Sequence, residues 1–223
     1  MAGCCSTSSS RDGASSAALT GQCSAGRVKV GSSASARLAA SAAALRLRGP
    51  VTRCRECAGR RIAFARARAA VAYDDAAKRL VGAWKERGQR TLAELAAEIV
   101  NAAVARPSAY TLTFVPADHD RLLRRGHNPA QRLAESLGGH WQLPVVPLLR
   151  RKPGRAPQKG LTLAERRRNV RGAFAAIEAV PTTIVLVDDV YTSGATVSAA
   201  ATALRKGGAR RVEVVTFARA VRS

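Results

Sequence analysis

Apolar and polar positions change period along this chain, and the changes mark its elements. Residues 62–73, IAFARARAAVAY, alternate in part, which predicts a strand or a hairpin arm. Residues 76–87 put Leu80, Val81 and Trp84 on one helical face. Residues 91–105 repeat Leu92, Leu95, Ala96, Ile99, Val100 and Ala103 with the spacing of an amphipathic helix. TLTFVP, 111–116, predicts a short buried strand closed by Pro116, and 117–127 reads as a loop. Asn128 and Pro129 have the character of an N-cap and a first helical residue. Ala130, Leu133, Ala134 and Leu137 continue that helix, and Gly138 with Gly139 is expected to stop it. LPVVPLL, 143–149, is a further strand candidate, moved towards a sheet edge by its prolines.

The last third carries the strongest pattern. IVLVDD, 184–189, is apolar on both faces before it reaches its acids, as expected of a strand in a parallel sheet covered on both sides. A helix from about 195 to 206 is expected to end at Gly207 and Gly208, and RVEVVTFA, 211–218, is the closing strand. Strands and helices in alternation predict an α/β fold with a central, mostly parallel sheet flanked by helices. Residues 1–50, rich in Ser, Ala, Gly and Arg, show no sustained period. They hold too little apolar surface to offset ordering entropy and read as disordered.

Composition changes this picture in a few places. The chain has 223 residues, enough for one α/β domain and an appendage. Its formal charge of +22 sets up a field that attracts polyanions. Arg outnumbers Lys by 31 to 6, and alanine is abundant, as a GC-rich coding sequence would produce, so local clusters say more than the total. One such cluster is 150–171, with nine Lys/Arg against the single acid Glu165. No apolar run reaches 18 residues, which argues against membrane insertion, and no short apolar block of a secretory signal opens the chain. A cytoplasmic protein is therefore expected. Of five cysteines, only Cys54 and Cys57 have metal-ligand spacing. Structural zinc takes four ligands, usually two such pairs, so zinc is not expected from this lone pair.

VLVDDVYTSGAT, 185–196, carries the candidate chemistry. A strand that runs through a tight loop into a helix leaves backbone N–H groups unpaired at the helix N-terminus, where the helix dipole also favours an anion. Gly194 permits close backbone approach, Thr192, Ser193 and Thr196 add hydroxyls, and Ala195 keeps the concavity open. Asp188 and Asp189 cannot hold a phosphate, because like charges repel. They can accept hydrogen bonds from the hydroxyls of a sugar beside it, and they can hold hydrated Mg²⁺. Together these features suit a phosphorylated ribose. No G-x-x-x-x-G-K-[ST] or H-E-x-x-H motif is present, so a P-loop nucleotidase and a zinc protease of that type are excluded at the level of motif.

This stretch resembles the 5-phosphoribosyl 1-pyrophosphate signature of the type I phosphoribosyltransferases. VPADHDRLLRRGHNPAQRLAESL (115–137), APQKGLTLAERRRNVRGAF (156–174) and the signature follow one another as in the ComF-like, competence-protein family of that fold. CRECAGRRIAFARARAAVAYDDAAKRLVGAWKERG (54–88) is similar to that family's join between a zinc ribbon and the transferase domain. The likeness covers about 54–220 and implies a degenerate zinc-ribbon region over 1–53 and a phosphoribosyltransferase-like domain over 54–223. It further implies that Asp188 and Asp189 hold the ribose hydroxyls as the catalytic pair. Thr192, Ser193, Gly194, Ala195 and Thr196 would then hold the 5′-phosphate. Ala117 and Asp118 would lie in the pyrophosphate loop, with Arg121, Arg124 and Arg125 as bases near it. Lys159, Arg166 and Arg167 would close over pyrophosphate from a flap, although such a charge run also suits a solvated face. Mg²⁺ would come with the pyrophosphorylated ribose, without direct protein ligation. Purine-salvage relatives carry an acid where Thr192 stands; Thr192 is no general base at neutral pH, which argues against 6-oxopurine salvage.

Two functions follow as expectations. One is transfer of phosphoribosyl to a nitrogen acceptor. The alternative is a non-catalytic accessory role in DNA uptake during natural competence, with nucleotide, single-stranded DNA or the uptake machinery as partner. Only nine Phe, Trp and Tyr residues are available as stacking platforms, which favours the small ligand.

Overall fold

In a computed structural model, the protein is described at residues 62–87, 91–153, 170, 172–177 and 179–220. Its strands are β1 (Arg66–Ala72), β2 (Thr111–Phe114), β3 (Leu149–Arg151), β4 (Phe174–Ala176), β5 (Thr183–Tyr191) and β6 (Arg211–Arg219). Its helices are α1 (Asp75–Arg87), α2 (Thr91–Ala103), α3 (His119–Arg125), α4 (Pro129–Trp141) and α5 (Ala195–Lys206). Cys54 and Cys57, and with them the division at residue 53, lie outside the described residues.

The main sheet has the order β1-β6-β5-β2, and every pairing in it is parallel. A parallel sheet is stable when helices cover both faces, and β5 shows how the sequence achieves this. Successive side chains of a strand point to opposite sides. Val185 and Val187 join one core cluster, with Trp84 of α1, Val100 of α2 and Leu133 of α4. Ile184 and Leu186 join the other, with Val197, Ala201 and Leu204 of α5 and Phe174 of β4. All four of these β5 residues are fully buried. Burying each such aliphatic side chain contributes about 1.5–3 kcal/mol against chain entropy. The α/β class with a mostly parallel sheet, expected from the unbroken apolar run, is what forms.

Both long helices before β2 match their stripes: Leu80, Val81 and Trp84 are buried in α1, and Leu92, Ala96 and Val100 in α2. Asn128 caps α4 as expected. Its side chain accepts from the Ala130 N–H at 3.1 Å and also donates to the Val115 carbonyl at 3.0 Å, while Pro129 takes the first turn. Gly207 caps α5. The segment at 62–73 is no hairpin arm: β1 is an edge strand parallel to β6.

Four expectations need correction. The segment 117–127 is not all loop, because α3 occupies its centre. No α3 residue is buried, and Leu122 and Leu123 are exposed, so there was no apolar stripe to read. Gly138 and Gly139 do not stop α4, which continues to Trp141 and ends with Gln142 at φ 52°. A Cβ on Gly138 would lie 2.6 Å from Val145 Cγ2 and 3.0 Å from the Leu143 carbonyl oxygen, so this glycine serves close approach rather than termination. The 143–149 segment is no full strand. It makes one parallel pair, Val145 with Leu112, on the outer edge of β2. Pro144 and Pro147 on either side have no N–H to extend the ladder. The chain then forms a separate antiparallel pair, β3 with β4, against α5. Lastly, the two acids do not end their strand: β5 runs on through Val190 and Tyr191, in register with Ala218 and Arg219 of β6. Among the described residues no helix is long and apolar enough to cross a membrane.

Candidate functional site

Adjacent parallel strands deliver their following loops to the same edge of a sheet. β2 and β5 are such neighbours, and the Val115 N–H still donates to the Val187 carbonyl at 3.0 Å just past β2. Residues 115–118 and 192–194 therefore emerge at one carboxyl edge. In open α/β sheets ligands bind at this edge.

The loop after β5 is shaped by its glycine. Gly194 has φ 68° and caps α5, a conformation in which an L side chain is strained. A Cβ there would also overlap the Tyr191 hydroxyl and ring. Tyr191 is buried, and its ring lies under the Arg219 guanidinium, 5.1 Å from the centroid. The aromatic ring thus forms a floor beneath the loop. The Ala195 N–H reaches Ser193 Oγ at 3.4 Å, while the Ser198 N–H donates to the Gly194 carbonyl at 2.9 Å, which starts the helical ladder. Thr192 is exposed, and Ser193, Ala195 and Thr196 are half-buried. The loop has the shape of an anion cradle: a helix N-terminus, small side chains and a backbone left open to approach.

The acids sit just before this loop, and both are half-buried. Asp188 Oδ1 accepts from the Asp189 N–H at 3.0 Å. Asp189 Oδ2 lies 2.7 Å from Lys85 Nζ, an ion pair that joins β5 to the last turn of α1. Burial first, and the neighbouring Asp189 carboxylate second, push Asp188 up to about 8; Lys85 and the Asp189 N–H oppose that rise. Such a site can present a neutral carboxyl beside an ion-paired carboxylate. It then offers both a donor and acceptors to neighbouring hydroxyl groups.

No family model matches the chain. Over 111 residues it is 34% identical to competence protein F of Haemophilus influenzae, a stretch covering 48% of either chain. Over 152 residues it is 25% identical to competence protein ComFC of Streptococcus pneumoniae, covering 68% of this chain and 67% of the relative. Over these stretches the chain is similar to competence proteins F and ComFC. It spans about half the length of the Haemophilus protein in that match. Among solved structures, glutamine phosphoribosylpyrophosphate amidotransferase from B. subtilis, complexed with ADP and GMP, aligns at 22% identity. That alignment covers 57% of this chain and 25% of the amidotransferase, with a TM-score of 0.38. Purine phosphoribosyltransferase from Pyrococcus horikoshii aligns at 17% identity over 61% of this chain and 83% of its own, with a TM-score of 0.30.

The remaining expected residues separate into three groups. Ala117 lies half-buried in the loop after β2, and Asp118 stands at the N-cap position of α3. The Asp118 carboxylate is engaged by Arg151 Nε of β3 at 3.4 Å, so this acid is held by an ion pair. Arg121 and Arg124 are exposed on α3; Arg124 Nε donates to the Asp120 carbonyl at 3.3 Å, and Arg125 closes the helix half-buried. Lys159, Arg166 and Arg167 lie outside the described residues. His127 has its ring nitrogens 2.9 Å from the Arg125 carbonyl and 3.2 Å from that of Trp84. It ties the turn before α4 to the end of α1. Lys85 and Arg151 were missed by sequence reasoning. Lys85 sits in an ordinary helical position 104 residues before its partner, since 189 − 85 = 104, and nothing local marks it.

Proposed function

We propose that this protein binds a phosphorylated ribose at the carboxyl edge of its sheet, as 5-phosphoribosyl 1-pyrophosphate, and transfers the phosphoribosyl group to a nitrogen acceptor. One observation carries the reading: the Asp188–Asp189 pair runs directly into a loop whose Gly194 is held in the left-handed region at the N-terminus of α5. This couples a hydroxyl-binding pair to an anion cradle at the distance of a few residues, which suits a sugar that carries its own phosphate.

In this reading Asp188 and Asp189 orient the ribose through its hydroxyls. Thr192 to Thr196 receive the 5′-phosphate, with backbone N–H groups as the principal donors. The pyrophosphate lies towards the loop holding Ala117 and Asp118, where Arg124 and Arg125 supply positive charge; Lys159 and Arg166, outside the described residues, keep the role that the resemblance implies. The bond from the anomeric carbon to pyrophosphate oxygen breaks with its electron pair leaving on pyrophosphate. The lone pair of the acceptor nitrogen forms the new bond. Positive charge develops on the sugar ring in between, beside two carboxyl groups. Catalysis is then positioning and electrostatic stabilisation, without a protein nucleophile.

Mg²⁺ is proposed to arrive on the donor. The residues present do not suit direct ligation: Lys85 engages Asp189, and among the described residues no group of three or more His, Cys, Asp and Glu side chains could hold an ion. No step is assigned to the metal.

Isothermal calorimetry with the pyrophosphorylated ribose and Mg²⁺ tests the reading. Wild-type protein is expected to give saturable heat, and Asp188→Asn with Asp189→Asn to abolish it. Absence of heat from folded wild-type protein rules the donor out. The names of the two relatives motivate a second reading, an accessory role in competence, and the exposed Arg121 and Arg124 on α3 favour it. Its mark is single-stranded DNA binding with a steep salt dependence that the Asp188 and Asp189 substitutions leave unchanged.

A further inference from the structure

A lysine beside a carboxylate pair is unexpected if the pair is to coordinate a metal. Lys85 Nζ lies 2.7 Å from Asp189 Oδ2, and only 23% and 15% of the two side chains are exposed. This contact is mostly sheltered, unlike a solvated ion pair such as Lys78 with Asp75, whose side chains are 55% and 83% exposed. The helix end that carries Lys85 is also anchored. Trp84, the preceding residue, is 1% exposed in the core, and its carbonyl meets His127 Nε2 at 3.2 Å. Lys85 lies in the last turn of α1, where the negative end of the helix dipole favours a cation. On the other side, Asp188 Oδ1 already accepts from the Asp189 N–H. One oxygen of each acid is thus engaged within the protein. A divalent ion taken up directly by Asp189 would have to displace the ammonium or sit against it.

We propose that Lys85 is the built-in counter-cation of this acid pair, occupying at Asp189 the place that a directly bound divalent ion would take. Lys85 is then a positioning residue. It fixes the Asp189 carboxylate and keeps the pair closed to free metal ions, so that a metal enters only on the ligand. The consequence for the donor rests on the reading above; the ion pair and its test do not. An ammonium has three N–H donors, and one of them meets Asp189, so Lys85 is also placed to meet an oxygen of a bound sugar.

Binding of Mn²⁺ alone, followed by the loss of the free-ion paramagnetic resonance signal at pH 8, tests this on the full chain. Wild type and Lys85→Arg are expected to bind Mn²⁺ weakly and alike. Lys85→Met is expected to bind it at least fivefold more tightly, and adding Asp189→Asn to remove that gain. Equal Mn²⁺ affinity in wild type and folded Lys85→Met overturns the proposal, as does a gain that survives Asp189→Asn. If Lys85→Met does not fold, carboxylate carbon resonances of wild-type protein decide during a titration with Mg²⁺ alone. An Asp189 resonance unmoved at millimolar Mg²⁺ supports the proposal, and a saturating shift overturns it. Because no sugar phosphate is present, a protein that ignores the pyrophosphorylated ribose yet shows the Mn²⁺ gain loses the donor reading and keeps the role of Lys85. Donor heat without the gain does the reverse.

Discussion

Near the amino end of the sheet, Glu213 of β6 is met by two arginines. Arg68 Nη2 donates to one carboxylate oxygen at 2.8 Å, and Arg211 donates to the other through Nε at 3.0 Å and Nη2 at 2.8 Å. Arg68 continues to the Ala105 carbonyl at 3.0 Å and ties β1 to the segment after α2. Near the carboxyl end of β5 the ratio is inverted, with Asp188 and Asp189 sharing Lys85. One cluster has more cation than anion and both acceptor oxygens filled. The other has more anion than cation and pays in proton affinity at Asp188. A buried carboxylate whose two oxygens are both filled holds elements together, although Arg68 Nε is buried without a hydrogen-bond partner; on the reading proposed above, the acids left short of cations are kept for a ligand. On that reading the Glu213 cluster is scaffold and the acid pair is site.

Removing the shared anion breaks the comparison most strongly. Glu213→Ala leaves Arg68, whose side chain is 11% exposed, without its carboxylate. A loss of about 3 kcal/mol in urea unfolding is expected, at the low end for a broken buried pair because Arg211 is half-exposed and can rehydrate. Donor binding by the folded fraction should be unchanged. At the other end, Gly194→Ala imposes a strained left-handed alanine and an overlap with Tyr191. It should cost about 2 kcal/mol of stability and weaken binding of the sugar phosphate at least tenfold in calorimetry. A variant that loses stability but keeps full affinity would remove the loop from the site. Asn128→Ala comes next. It deletes the cap of α4 and leaves the Val115 carbonyl, at the start of the candidate pyrophosphate loop, without its donor. About 1–2 kcal/mol is expected in the same unfolding assay.

The same contrast explains what could be read from the sequence. β5 was legible because four consecutive apolar residues must be buried on both faces, and only a covered parallel strand does that. The cap at Asn128 and the loop at Gly194 were legible because backbone geometry there restricts the residue type. α3 was not, since Leu122 and Leu123 face solvent and give no period. β3 and β4 are three residues each, too short for alternation to rise above chance. Gly138 misled because a glycine serves termination and close approach alike, and only Val145 on the neighbouring segment distinguishes them. Of the site, the acids and the loop were visible as a contiguous motif. Lys85 and Arg151 were not, because a partner distant in sequence leaves no local signature.

The smallest expected effect has the opposite sign and sharpens the comparison furthest. Asp188 is raised in the folded protein to about 8, from an ordinary 3.8. A carboxyl raised on folding binds a proton that the unfolded chain has released. Its contribution is therefore most favourable below about pH 4, declines as the pH rises, and is fully lost above about 8. Asp188→Asn removes the penalty while keeping the shape of the side chain. The variant should match wild type at pH 4 and gain progressively towards pH 8. Its advantage there is expected to be about 1 kcal/mol, because solvent reaching a half-buried group screens most of the shift. Urea unfolding of both proteins across this range measures the difference directly. A gain in stability together with a loss of sugar-phosphate binding would show a side chain retained against the interest of the fold, as expected of a site residue. A pH-independent difference would mean that Asp188 titrates alike in both states, and would return this acid to the scaffold.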